Sequence, residues 1–130
     1  MKKDGLFLLH TIGGHASYPT TDPWIDKYIF PGGVIPSYAQ ITKAFQRAGF
    51  VMEDWHNFGT DYDKTLMAWY QNLLPHWDNL IATEKYDERF RRMWEYYLLS
   101  CAGAFRAREL DLWQIVLSPN GVHGGYTSIR

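Results

Sequence analysis

The run DWHNFGTDYDKTLMAWY, Asp54 to Tyr70, decides the fold. Its first residues close a strand candidate, Phe50 to Phe58, and Gly59 then breaks the extended pattern. Asp61 follows as a helix N-cap, and Leu66, Trp69, Tyr70, Leu73 and Trp77 recur at helical spacing as a wide apolar stripe. A strand that passes through a glycine straight into an amphipathic helix is the building unit of α/β proteins. Tyr62 sits at the hinge. A tyrosine just after an N-cap ordinarily packs its ring and sends its hydroxyl to water or to a nearby carbonyl.

Working outward from this junction gives further elements of the same kind. Gly5 to Ile12, GLFLLHTI, is a short apolar run closed by Gly13–Gly14 and reads as a strand buried on both faces. Asp22-Pro23 supplies an N-cap and an N1 proline for a short helix to about Ile29, which Phe30-Pro31-Gly32-Gly33 stops. Pro36 and Ser37 open a second helix ending before Gly49, with Tyr38, Ile41 and Phe45 on one face. Pro75 must kink or restart the helix that follows the junction.

From about Asp87 to Arg108, a long helix carries Phe90, Met93, Trp94, Tyr97, Cys101, Ala104 and Phe105 in register, with Asp87/Arg91 and Glu88/Arg92 placed for ion pairing. Gly103 within it suggests a close packing contact. Leu112 to Leu117, LWQIVL, is a third strand, and a Gly-rich segment follows. The expected organisation is one α/β unit over residues 1–118 and a mobile tail over 119–130.

The 130 residues suffice for one core, and 17% aromatics point to large apolar surfaces in a core, an interface or a greasy ligand site. A formal charge of −1 with both signs interspersed leaves no basic footprint for nucleic acid. One cysteine permits no internal disulfide, and no run approaches a membrane span, so a cytoplasmic chain is the default expectation. TIGGHASY has neither the phosphate-loop nor the dinucleotide-binding spacing, and no G-x-S-x-G elbow occurs. Five scattered histidines match no metal-ligand spacing, so packed or solvent-facing imidazoles are the simpler reading and no metal is expected. His10 lies near the end of an apolar strand, where a buried ring needs a partner and usually finds a backbone carbonyl. If the first two strands run parallel, His10 and the Gly59–Tyr62 turn share the carboxyl edge of the sheet, where open α/β sheets place ligands.

FLLHTIG, DPWIDKYIFPGG, VMEDWHNFGTDYDKTLMAWY and CAGAFRAREL, in this order, resemble the C-terminal part of cyclopropane-fatty-acyl-phospholipid synthases, relatives of the mycolic acid cyclopropane synthases. The resemblance runs from about Lys3 to Leu117. It implies the last three strands of a Rossmann-like, S-adenosylmethionine-dependent methyltransferase fold, the final strand antiparallel and inserted between the other two. It also implies methylene transfer from S-adenosylmethionine to a cis double bond of a phospholipid acyl chain, with bicarbonate as the base. His10, the Ile12 amide and Tyr62 carry over as bicarbonate contacts, His10 and Tyr62 as the catalytic side chains.

Trp55, Phe58, Trp69 and Phe105 are candidates to contact the acyl chain or a carbocation, although core packing is the commoner task for such residues. The family's cofactor loop, ribose contact, and bicarbonate-site cysteine and glutamate would precede Met1. The expectation is therefore a C-terminal fragment or truncated product, inactive alone, which reaches phospholipid at the membrane surface, with a peripheral place at the inner face as one option. Its first strand would be an exposed edge open to the family's N-terminal half or to self-association. Two alternatives stand beside this: a relic or interaction module that keeps the family core, and a fatty-acid methyltransferase that closes no ring.

Overall fold

The computed structural model describes residues 2–129, whose chain leaves strand β2 (Val51–Asn57) and enters helix α3 (Gly59–Leu73) through the single residue Phe58. The helix starts earlier than the sequence suggests. Asp61 is not its N-cap but lies in the first turn, 3.0 Å from Lys64 Nζ. The main chain does the capping instead: the Phe58 carbonyl accepts from the N–H groups of Asp61 and Tyr62, each at 3.0 Å, and Asn57 Oδ1 accepts from Gly59 N–H at 2.9 Å. Gly59 leaves room for this arrangement, because a Cβ would stand 3.1 Å from Asp111 Oδ1 and 3.2 Å from Asn57 Oδ1 and push those oxygens aside. The Asp111 carboxylate beneath this helix start complements the positive end of its dipole.

The sheet has the order β1-β3-β2, with β1 at Phe7–Gly14 and β3 at Leu110–Ser118. β3 is antiparallel to both neighbours, so β1 and β2 point the same way on either side of it. This is the inserted antiparallel strand that the resemblance implies. β1 departs from expectation in two respects. It includes Gly13–Gly14 rather than ending before them, because the Trp113 indole lies over Gly13, where a Cβ would meet the ring at 2.0 Å, and Gly14 bridges to Ser37. Nor is it buried on both faces: among the described residues it pairs with a strand on one side only, and Phe7 and Leu8, with Leu6 just before them, are 43%, 54% and 51% exposed.

The capping residues read from sequence hold elsewhere. Asp22 caps α1 (Pro23–Tyr28), Ser37 and Gln40 form a capping box on α2 (Tyr38–Ala48), and Gly49 closes α2 with φ of 71°. Pro75 falls in a 3₁₀ turn, Leu74–His76, leading into α4 (Trp77–Ala82). Asp87 caps α5 (Glu88–Arg106) through Phe90 N–H instead of pairing with Arg91, whose partner is Glu88 at 3.4 Å. Gly103 is exposed and a Cβ there would touch nothing within 4 Å, so it marks no packing contact.

Each face of the sheet has its own layer. On one, Trp113, Ile115 and Leu117 pack with Ile41 of α2. On the other, Leu112 packs with Leu66 of α3 and with Leu98, Ala102 and Phe105 of α5. The segment after β3 is tied back to the sheet: Val122 N–H donates to Glu53 Oε1 at 2.9 Å and Asn120 Nδ2 to the Lys3 carbonyl at 3.2 Å. Among the described residues no helix is long and apolar enough to cross a membrane.

Candidate functional site

The register of the sheet brings His10 and Ile12 to one face. Side chains of directly opposed residues share a face, so Ile12 sits beside Leu112, and His10 lies in the next row, His10–Gln114–His56. Ile12 packs on the α3/α5 cluster together with Tyr62 and Phe58. His10 and Ile12 are two residues apart on one strand, about 7 Å by strand rise. His10, Ile12 and Tyr62 therefore occupy adjoining parts of the α3/α5 face.

His10 is exposed rather than buried, since it stands on the unpaired strand beyond the cover of α3 and α5. Its partner is a side chain and not a backbone carbonyl: Gln114 Nε2 lies 3.2 Å from His10 Nδ1. On the far side of Gln114, the His56 ring lies on the Phe58 ring with centroids 3.8 Å apart.

Tyr62 is held edge-on between Phe105 (5.0 Å) and Trp69 (5.9 Å). Burial pushes its phenol up from the ordinary value, with the neighbouring Cys101 adding to the effect. Tyr97 is pushed up to about 12, by burial first and then by Cys101 and Tyr62. The Cys101 thiol is pushed up by burial, against an opposing hydrogen bond with Ser100. All three groups are thus neutral at neutral pH, and the phenols remain hydrogen-bond donors. Phe30 meets Tyr97 edge-on at 5.9 Å, which brings the segment after α1 against the same group.

The proposed aromatic contacts divide. Phe105, 1% exposed, is core, and Trp69, 47% exposed, forms one wall of a 340 Å³ cleft between α3 and α5 with Trp94 and Tyr97. Phe58 stays on the site face under His56. Trp55 does not join them, because strand alternation turns it to the α2 face against Trp113 at 5.0 Å. A second cleft, 260 Å³, lies under the C-terminal segment and is lined by His56, Gln114 and Tyr126 among others. Neither cleft is lined by both His10 and Tyr62.

Sequence reasoning missed Gln114, Tyr97 and Phe30 as members of this region. Gln114 had a signal, as the one polar residue in LWQIVL, and Tyr97 had none beyond its place in the helical stripe.

Nearby, Asp111 is buried at the carboxyl edge, and its Oδ2 accepts from His15 Nε2 at 3.1 Å. Arg108 Nη2 lies 3.3 Å from Oδ1 as a charge contact without hydrogen-bond geometry, so Oδ1 has no hydrogen-bond partner. Among the described residues no cluster of three or more potential ligands could hold a metal ion.

A three-strand sheet whose antiparallel last strand is inserted between two strands that point the same way, with helices on both faces and donors near its carboxyl edge, is the methyltransferase kind of α/β architecture. The chain belongs to the mycolic acid cyclopropane synthetase family, whose model matches residues 1–115. It is 55% identical over all 130 residues to the cyclopropane-fatty-acyl-phospholipid synthase of Escherichia coli K12, and spans 33% of that protein's length. Among solved structures it resembles the cyclopropane synthase MmaA2 of Mycobacterium tuberculosis, with a TM-score of 0.80 and 28% identity over 90% of this chain and 45% of that one. It also resembles the mycolic acid cyclopropane synthase CmaA1 complexed with SAH and CTAB, with a TM-score of 0.78, 28% identity and the same coverage.

Proposed function

We propose that this chain is the C-terminal portion of an S-adenosylmethionine-dependent cyclopropane-fatty-acyl-phospholipid synthase, which adds a methylene across a cis double bond of phospholipid acyl chains. The observation that carries the reading is the shared face: Ile12 and Tyr62 pack on the same α3/α5 cluster, and His10 stands one row away. The His10 imidazole, the Ile12 N–H and the Tyr62 hydroxyl are donors of the kind a small anion needs, and none of the three brings a full positive charge. β1 is an edge strand among the described residues, so alternate N–H groups along it have no ladder partner. Bicarbonate, when bound, would supply the general base. The chain's own task would be to hold and orient that anion, and to present aromatic surface to the alkyl chain along the α3/α5 cleft. No residue of this chain is assigned to S-adenosylmethionine, because TIGGHASY offers no glycine-rich loop for it.

Association through the outer edge of β1, where Leu6, Phe7 and Leu8 are half exposed, belongs to the same reading. Light scattering should show mass growing with concentration, and a monodisperse monomer at high concentration counts against it.

The test is a chimera. This chain replaces the matching third of the Escherichia coli synthase, and phospholipid fatty acids are analysed by mass spectrometry in cells lacking their own enzyme. Cyclopropane products are expected, with Tyr62→Phe and His10→Ala each lowering the yield by roughly 10- to 100-fold. Methyl-branched products without a ring would select a fatty-acid methyltransferase. A soluble, cofactor-binding chimera with no product would make this chain a relic. The 130-residue chain alone is expected to transfer no methyl group.

A further inference from the structure

We infer that Gln114 is a positioning residue that fixes the tautomer and ring orientation of His10, so that the imidazole presents Nε2–H as a donor. The anion this donor would meet rests on the function proposed above; the pairing of the two side chains does not.

The inference begins with the chemistry of one contact. Gln114 Nε2 is an amide nitrogen, which donates and cannot accept, and it lies 3.2 Å from His10 Nδ1. Nδ1 must then carry the lone pair. In a neutral imidazole the proton is consequently on Nε2. The opposite tautomer would set two N–H groups against each other at hydrogen-bond distance and would require the amide to turn over and present Oε1.

The second argument is placement. The central stretch of β3 alternates Leu112, Gln114 and Val116 on the site face with Trp113, Ile115 and Leu117 on the other. Five of these six are apolar and buried, whereas Gln114 is half-buried and polar. Packing alone does not ask for an amide here, since Val or Ile would suit a middle strand better. Register puts Gln114 opposite His10 on one side and His56 on the other, so the amide reaches an edge-strand histidine that no other side chain among the described residues hydrogen-bonds. His56 is parked on Phe58. An exposed imidazole on an edge strand would otherwise sample several rotamers, and one fixed hydrogen bond restricts it to a single aim.

The experiment is nitrogen NMR of the histidine rings in the 130-residue chain, as wild type, Gln114→Glu and Gln114→Met, followed by titration with isotope-labelled bicarbonate. In the wild type, His10 Nδ1 should be unprotonated and the Gln114 side-chain amide protons slowed in exchange. Gln114→Glu replaces the donor by an acceptor and should move the proton onto Nδ1. Gln114→Met keeps the length without a donor, and should return Nδ1 to the shift of a free imidazole while leaving the rest of the spectrum in place. If Nδ1 is protonated in the wild type, or if its state is the same in wild type and Gln114→Met, the inference is overturned; Gln114→Met gives this answer even where Gln114→Glu fails to fold. Where bicarbonate perturbs His10 in the wild type, both variants should weaken that response by roughly 10- to 100-fold, the usual cost of removing a partner that orients a ligand. If bicarbonate perturbs no variant but the tautomer responds as stated, the positioning role stands and the functional reading fails.

Discussion

The two faces of one three-strand sheet have been put to different uses. On the α2 face, Trp113, Ile115 and Leu117 are at most 3% exposed, and Ile41 closes over them. On the α3/α5 face the same strand offers Leu112 to the core, then Gln114 to the His10–His56 row, and the helices cover only the first of these. The first face is closed and apolar along the central strand from Trp113 to Leu117. The other closes around Tyr62 and then opens onto imidazoles and an amide. A stable face and a chemically usable face are thus built from alternate residues of one strand, which the period of two allows without disturbing the backbone.

The largest test of this contrast removes one buried side chain from each face. Ile115→Ala, at a position with no exposed surface, should cost about 2–5 kcal/mol, and Phe105→Ala about 3–5 kcal/mol, read by denaturant unfolding. Both faces are core at these points, so the comparison would break if either variant were near neutral. Their other consequence should differ: Phe105 is one of the two rings flanking Tyr62 and Ile115 is remote from it, so only Phe105→Ala should alter the Tyr62 ring signals at matched stability.

Gly13→Ala comes next. The added methyl would meet the Trp113 ring at 2.0 Å, closer than any real contact, so the indole must move off β1. A loss of about 1–3 kcal/mol is expected, with a change in tryptophan fluorescence that Gly103→Ala, which has open space, should not show. An unchanged emission spectrum would mean that Trp113 does not lie over β1.

Much of this was legible in the sequence, for identifiable reasons. Asp22, Ser37 and Gly49 act locally, and their capping roles were readable because a cap depends on a few neighbours, whereas Asp87 was read as an ion-pair partner of Arg91 and caps α5 instead. The strand order followed from the family resemblance. Asp61 was misplaced as a cap because Asn57, two residues before Gly59, and Asp111, far along the chain, serve that helix start. Gly13–Gly14 looked like a stop signal, and only the tertiary neighbour Trp113 explains why the strand continues. Gln114 was visible as an oddity in an apolar run, but its partner at His10 is 104 residues away and becomes apparent only from the register.

A smaller effect belongs to the closed part of the site face. Tyr62, Tyr97 and Cys101 are all held neutral by burial, with Tyr97 pushed up to about 12. Each has a folded-state value above its unfolded one, so the stability they contribute is fully present only where the unfolded groups are still protonated, below about pH 8 for the thiol and about pH 9 for the phenols. It is lost as pH rises towards about 12, because the unfolded chain ionises first. Phenolate absorbance should therefore show late-titrating tyrosines, and alkaline unfolding should begin before they titrate in the native state. Cys101 should alkylate slowly at mildly alkaline pH. Fast alkylation, or tyrosines that all titrate normally, would mean that this end of the face is open like the other.

The smallest stability effect is expected at the position that separates the two faces. Gln114→Val would extend the apolar alternation of β3 to the site face and replace an amide with a good strand former. The hydrogen bond lost is to an exposed ring, so the change in stability should lie within about 0.5 kcal/mol in either direction by urea titration. A clear loss would show that the amide serves the fold, and the two faces would then differ less than their residues suggest. A neutral result combined with a freed His10 ring would separate the roles: the fold accepts either residue at 114, and the requirement for glutamine comes from the histidine beside it.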